Sequence, residues 1–251
     1  MIDTIQLACL ISILCNLLFL SLGIVFISKR GGLSYLQGKL SSLTGGGVVI
    51  TPRDDIPYQC DRITHFQTLP TTNSEIIFLG DSLTDSCEWS ELFANIQIKN
   101  RGISGDRTDG VLSRVDDILT SHPQKIFLMI GINDLIQGVT VSQVVSNYRR
   151  ILEKIKIQSP HTQVFIQGVL PINNRKSQEK LKLKLDNEKV TSVNDNLKQL
   201  AQKFSFYYID LFSAFCDDRN ALNSRYTTDG IHLNGKGYLL WQEFIKKDVV
   251  N

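Results

Sequence analysis

From Glu75 onward, short apolar runs alternate with longer segments that carry apolar residues at helical spacing. Repeated alternation of strands and helices predicts a parallel sheet covered by helices on both faces. The length of 251 residues suits one such α/β domain with an appendage. The predicted strands are EIIFLG, IQIKN, KIFLMIG, TQVFIQGVLP and FYYIDLF.

The segments between these runs predict helices. Thr108 is expected to cap one of them, and Pro160 stops another. The longest segment, residues 177–204, predicts a single amphipathic helix. The predicted helices cover residues 87–95, 108–121, 140–158, 177–204 and 235–247.

The first part of the chain has a different composition. Residues 5–28 carry no charge and are mostly Leu, Ile, Val and Phe. About 20 apolar residues span a bilayer as a helix, so we expect a transmembrane helix here. A cleaved signal peptide is the alternative, but it would have basic residues before the apolar run, where this chain has Asp3. Lys29 and Arg30 follow the run and favour a cytoplasmic location for the rest of the chain.

Three parts follow from these patterns. A single-pass membrane anchor is expected over residues 1–30. Residues 31–74 are expected to form a Gly/Ser-rich linker and a lead-in that packs on the domain surface. Residues 75–251 are expected to form the α/β domain.

Charge and cysteine content exclude several classes of partner. The formal net charge is +2 and no basic stripe with interleaved aromatic residues occurs, so nucleic acid is not an expected partner. The five cysteines include no CxxC pair, which argues against a disulfide framework and against a zinc site.

The predicted sheet also indicates where a site would lie, because ligands of open parallel sheets bind at the carboxyl ends of the strands. Asp81 and Ser82 directly follow the first strand, and the segment NRGISGDRT follows the second. GINDL follows the third strand, and Asp210 follows the fifth. These polar residues are the candidates for chemistry.

Ser82 is either the beginning of a helix or a nucleophile, and a nucleophilic serine needs a base with an orienting acid. Of the four histidines, only His232 is predicted at the carboxyl edge of the sheet, since His122 and His161 precede strands and His65 lies in the lead-in. Asp229 stands three residues before His232, close enough to bind its Nδ1–H. Ser82, His232 and Asp229 are therefore candidates for a catalytic triad.

Acyl transfer also needs donors for the developing oxyanion. The backbone N–H of Ser82, the backbone N–H of Gly105 and the side chain of Asn133 are candidates, because each follows one of the first three predicted strands. Taken singly, a loop glycine or an Asn before Asp is usually a turn or cap residue.

Four segments together resemble the sequence blocks of the SGNH hydrolases, also called GDSL esterases: GDSLT, NRGISGDRT, GIND and DGIHLN. Within that family they are most similar to the branch of platelet-activating-factor acetylhydrolase subunits and bacterial lysophospholipase relatives. The resemblance implies a flavodoxin-like three-layer fold with five central strands. It also implies a carboxylic ester hydrolase with Ser82 as nucleophile, His232 as base and Asp229 as acid, and with Ser82, Gly105 and Asn133 as oxyanion donors.

The expected substrate is a short-chain or acetyl ester of a lipid or sugar, and the mechanism needs no metal or other cofactor. Two alternatives stay open. A membrane-tethered binding module could keep the fold without turnover. An Mg²⁺-dependent phosphohydrolase could gather carboxylates at the same edge, with Asp81, Asp134, Asp210 and Asp229 as its candidates.

Overall fold

The computed structural model describes Asn16, Ser21 and residues 57–72 and 74–250. Within these ranges no helix combines the length and apolar character that crossing a membrane requires. The transmembrane helix predicted within residues 1–30 lies outside the described residues, apart from Asn16 and Ser21. Of the predicted linker and lead-in, residues 31–56 and residue 73 also lie outside the described residues.

The predicted parallel sheet is confirmed. Its strands have the order β2-β1-β3-β4-β5, and all neighbouring strands run parallel. The strands are β1 (Ile76–Gly80), β2 (Ile98–Gly102), β3 (Lys125–Met129), β4 (Gln163–Gln167) and β5 (Tyr207–Ile209).

The helices follow the strands in the predicted alternation. An additional helix, α1 (Pro57–Thr68), precedes the sheet. The others are α2 (Ser82–Asp85), α3 (Trp89–Leu92), α4 (Thr108–Leu119), α5 (Ile132–Ile136), α6 (Val141–Gln158), α7 (Asn174–Leu181), α8 (Asn187–Phe204), α9 (Leu211–Phe215) and α10 (Gly235–Val250).

One face of the sheet carries a ladder of aromatic rings. Phe78, Phe127, Phe165 and Tyr207 lie opposite each other on neighbouring strands, with ring centroids 5.0, 4.6 and 4.8 Å apart. Trp89 of α3 stacks on Phe78 at 4.2 Å, and α9 and α10 complete this layer of the core. Stacked aromatic pairs add to the free energy gained by burying their surface.

Alternate residues point to the opposite face because side chains alternate along a strand. Ile77, Leu79, Ile126 and Leu128 are buried there, and α4, α6 and α8 pack side by side as the covering layer. The Tyr148 hydroxyl of α6 donates to Ile130 O at 2.9 Å, just beyond the end of β3. Sheet and helices thus form the three layers expected.

Two local predictions were wrong. The single helix expected over residues 177–204 is divided into α7 and α8, because Lys182 adopts a left-handed conformation (φ 56°) and Asp186 caps the new helix by accepting from Glu188 N. Thr108 does not cap α4; the cap is Arg107, and Thr108 is the first helical residue. Its hydroxyl donates to Asp134 instead.

Candidate active site

The strand order brings three loops together at the carboxyl edge of the sheet. β1 lies between β2 and β3, so the turn that begins with Asp81 is flanked by the loops that follow those two strands. Ser82 comes from the central turn, Gly105 from the loop after β2 and Asn133 from α5 after β3. The candidates identified from sequence therefore lie at adjacent strand ends.

The turn after β1 is short and closely packed. A Cβ atom at Gly80 would lie 2.3 Å from Met129 O, so the approach of the two strand ends requires glycine. Asp81 caps α2 by accepting from Leu83 N at 3.0 Å, and the helix begins at Ser82. Ser82 is thus presented on the first turn of a helix, directly above the sheet edge.

Ser82 contacts the histidine expected from sequence. The distance from Ser82 Oγ to His232 Nε2 is 3.1 Å, although 150 positions separate the two residues in the chain. His232 Nδ1 lies 2.7 Å from Asp229 Oδ2. The three side chains form a continuous line from hydroxyl to imidazole to carboxylate.

Backbone N–H groups fix the orienting carboxylate. Asp229 Oδ1 accepts from Ile231 N at 2.9 Å and from His232 N at 2.8 Å. Partial burial acts to raise the pKa of Asp229, but the bonds from the His232 side chain and these two N–H groups outweigh it and hold the pKa below its ordinary value. Asp229 therefore stays ionised and can orient and stabilise a protonated His232.

The two remaining oxyanion candidates are the backbone of Gly105 and the side chain of Asn133. Gly105 has φ +77°, which glycine adopts at little cost. The Asn133 side chain donates from Nδ2 to Asp106 O at 2.9 Å. Because an amide nitrogen carries two N–H groups, this bond orients the second one without consuming it.

Buried acids lie behind this edge. Burial raises the pKa of Asp81 to about 7. It also raises the pKa of Asp134 to about 6, although the two bonds from Thr108 act in the opposite direction. Asp106 is paired with the buried Arg114 at 3.0 Å, and Arg114 also donates to Gly80 O.

The four carboxylates considered for Mg²⁺ do not form one cluster. Asp210 caps α9 through Ser213, and each of the others has the partner given above. Among the described residues no group of three or more acidic, histidine or cysteine side chains is arranged to hold a metal ion.

Sequence reasoning missed two residues that support the site, Asp85 and Asn100. Asp85, at the end of α2, accepts from Ser104 N at 3.0 Å and from Ser104 Oγ at 2.7 Å. Asn100 of β2 donates to the carbonyls of Thr84, Asp85 and Cys87. Asp85 directly follows the block GDSLT, and Asn100 is the first residue of the block NRGISGDRT. This proximity to the two blocks was the only sequence signal for their supporting role.

Residues 78–240 match the model of the GDSL-like Lipase/Acylhydrolase family. Curated relatives include platelet-activating factor acetylhydrolase IB subunit alpha1 of Bos taurus and of Homo sapiens. Each is 28% identical over 170 residues, which is 65% of this chain and 70% of the relative. The alpha2 subunit of Rattus norvegicus is 27% identical over 171 residues, with 65% of this chain and 71% of the relative covered.

Solved structures agree with this match. One from Streptococcus pneumonia, described as a platelet activating factor, is 29% identical, with a TM-score of 0.69 over 76% of this chain and 91% of that chain. A catalytic mutant of Axe2, an acetylxylan esterase from Geobacillus stearothermophilus, has a TM-score of 0.58 over 72% of this chain and 96% of that chain, at 16% identity. That second likeness concerns the fold alone.

Proposed function

Because the chain belongs to the GDSL-like lipase/acylhydrolase family and is a carboxylic ester hydrolase, we propose that it acts through Ser82, His232 and Asp229 on acetyl or other short-chain acyl esters of a lipid or sugar. The observation that carries the proposal is the line from Ser82 Oγ through His232 to Asp229, with contacts of 3.1 and 2.7 Å. A base at that distance can take the serine proton during attack.

In the first half of the reaction, Ser82 Oγ bonds to the ester carbonyl carbon while its proton passes to His232 Nε2. The carbonyl oxygen becomes an oxyanion, stabilised by the N–H groups of Ser82 and Gly105 and by the Asn133 side chain. When the tetrahedral intermediate collapses, the bond to the leaving alcohol breaks and His232 gives its proton to that alcohol. The acyl group is then bound to Ser82.

In the second half, water attacks the acyl carbon and His232 takes the water proton. Collapse releases the carboxylic acid, and the proton returns to Ser82 Oγ. Asp229 stabilises the imidazolium ion in both halves and fixes the tautomer in which Nε2 can accept.

Short acyl groups are favoured by two observations. The curated relatives are named as acetylhydrolases. The turns next to Ser82 are also short: one residue separates β1 from α2, and two residues separate β3 from α5. Turns of this length add no wall above the edge of the sheet that could enclose a long acyl chain.

The test uses the purified full chain with p-nitrophenyl esters of increasing acyl length, a lysophospholipid and acetylated sugars. We expect the highest kcat/KM for the acetyl ester and none for Ser82→Ala. A fluorophosphonate probe should label the wild-type chain and leave Ser82→Ala unlabelled. Labelling that persists in Ser82→Ala would assign the nucleophile to another serine, with Ser104 the first to examine.

We also propose that residues 5–28 tether the chain to a membrane, on the basis of their uncharged composition. Lys29 and Arg30 favour a cytoplasmic catalytic domain. Alkaline carbonate extraction of membranes tests the tether, and protease accessibility of sealed vesicles tests its orientation. Extraction into the soluble fraction would overturn it.

A further inference from the structure

Helix α1 contacts the loop that contains Gly105. It lies before residue 78, where the match to the family model begins. Tyr58 donates from its hydroxyl to Asp85 Oδ2 at 2.5 Å, and Arg62 binds Asp85 Oδ1 at 3.2 Å. The buried Gln59 side chain donates from Nε2 to Ser104 O at 3.3 Å.

These contacts hold Ser104 at all of its polar atoms. Its N–H and its hydroxyl bind Asp85, and its carbonyl accepts from Gln59. Ser104 directly precedes Gly105, so its carbonyl belongs to the same peptide group as the Gly105 N–H. A hydrogen bond to that carbonyl therefore sets the orientation of the N–H.

Because the peptide group is planar, the direction of the Ser104 C=O determines the direction of the Gly105 N–H. Like the other peptide bonds of the described residues, the Ser104–Gly105 bond is not cis. In a trans peptide the C=O and N–H point in opposite directions within one plane. Gln59 holds the oxygen on the α1 side, which directs the Gly105 N–H away from α1. With φ +77°, Gly105 has the backbone freedom to let the peptide rotate if that bond is lost.

We propose that Gln59 is a positioning residue for ester hydrolysis, which fixes the Ser104–Gly105 peptide so that the Gly105 N–H serves the oxyanion. This inference rests on the proposed function, in which Gly105 is an oxyanion donor. It assigns α1, a helix outside the matched family region, to the catalytic apparatus.

Two substitutions separate positioning from packing. Gln59→Met keeps the length of the side chain and its apolar stem but removes the donor. Gln59→Glu keeps the shape and, in its ionised form, replaces the donor by an acceptor, which repels Ser104 O and attracts the Gly105 N–H; it is therefore assayed at alkaline pH, where a buried carboxyl is ionised. The matched control is Gln67→Met, since Gln67 is on the same helix and donates to Asp117 instead.

The full chain is assayed with p-nitrophenyl acetate, and thermal unfolding is followed in parallel. Loss of an oxyanion donor lowers kcat about 10² to 10³-fold. We expect a kcat decrease of about 10-fold for Gln59→Met and a larger one, towards the full loss of the donor, for Gln59→Glu, with KM nearly unchanged. Gln67→Met should leave kcat and KM at wild-type values. A role in packing alone would instead lower the unfolding midpoint of Gln59→Met, and not that of Gln67→Met, without this kcat-specific loss.

The amide resonance of Gly105 in glycine-labelled protein gives a readout that does not depend on turnover. It should shift in both Gln59 variants and not in Gln67→Met. Wild-type kcat in both Gln59 variants, with Ser82→Ala inactive, would overturn the inference and leave the proposed function intact. Activity that survives in Ser82→Ala would overturn the proposed function itself. In that case an unshifted Gly105 resonance in Gln59→Glu would still refute the positioning role.

Discussion

Ser82 Oγ and His232 Nε2 are 3.1 Å apart, and they reach that distance from opposite ends of the domain sequence. Ser82 begins the helix after the first strand, whereas His232 comes from the loop before the last helix. The parallel sheet makes the contact possible because the strand ends and the last loop meet at one edge.

Asp229→Asn should lower kcat about 10⁴-fold while the chain stays folded. The Asn oxygen can still accept from the N–H groups of Ile231 and His232, which directs its NH₂ group at His232 Nδ1. Nδ1 must then accept rather than donate, so Nε2 carries the proton and cannot take the one from Ser82. Steady-state kinetics with p-nitrophenyl acetate measure the loss, and circular dichroism checks the fold. A decrease of less than about 10-fold would remove Asp229 from the orienting role.

Asn133→Ala should lower kcat about 10² to 10³-fold with little change in KM, because the oxyanion exists only in the transition state and intermediates. Asn133 is anchored through Asp106 O, so truncation removes an oriented donor. The same p-nitrophenyl ester assay gives kcat and KM. Asn196→Ala serves as the control, since Asn196 is only partly buried and its side chain donates to Ser192 O within the same helix. Equal kcat values for the two variants would contradict the assignment.

The sequence was sufficient to predict the sheet and its functional edge because apolar periodicity reports directly on buried strands. It was not sufficient for α1, since this helix docks through polar side chains such as Tyr58, Gln59 and Arg62 rather than through an apolar stripe. The break between α7 and α8 could not be predicted from the sequence either. No Gly or Pro stands there, and tertiary contacts between Asn174 and Leu185 favour the break.

The residues that support the candidate site could not be predicted from the sequence either, for a physical reason. Ser82, His232 and Asp229 are residue types that carry a known chemistry, so their positions could be tested by elimination. Asp85 and Asn100 act through backbone N–H and carbonyl groups, which every residue possesses. Only the three-dimensional arrangement identifies which backbone groups they contact.

Asp81→Asn should stabilise the chain increasingly as the pH rises from about 5 to about 7. Burial raises the pKa of Asp81 to about 7, whereas its ordinary value is 3.8. The folded state therefore keeps a proton that the unfolded state releases, and wild-type stability falls as the pH rises between those two values. Asn cannot ionise, and its oxygen can still accept from Leu83 N. Thermal midpoints of both proteins across this pH range measure the effect. A difference in midpoint that does not grow with pH would contradict the raised pKa.

Arg114→Met should lower the free energy of unfolding by about 3 to 5 kcal/mol, because it removes the buried guanidinium that pairs with the buried Asp106 carboxylate. Urea unfolding measures the change. The control is Arg175→Met, which breaks an exposed pair with Glu179 and should change the free energy by less than about 0.5 kcal/mol.

Adding Asp106→Asn to Arg114→Met distinguishes the stranded charge from the lost packing. The double variant should recover a large part of the stability lost in Arg114→Met, because no buried charge remains to be compensated. Asn can still accept from Arg107 N, as Asp106 does at 2.9 Å. If the double variant is no more stable than Arg114→Met, the loss comes from the other contacts of Arg114, which include the bond to Gly80 O next to the Ser82 turn. The backbone carbonyl of Asp106, which accepts from the Asn133 side chain, is present in both the single and the double variant. We therefore expect the measured kcat to change only with the amount of folded protein.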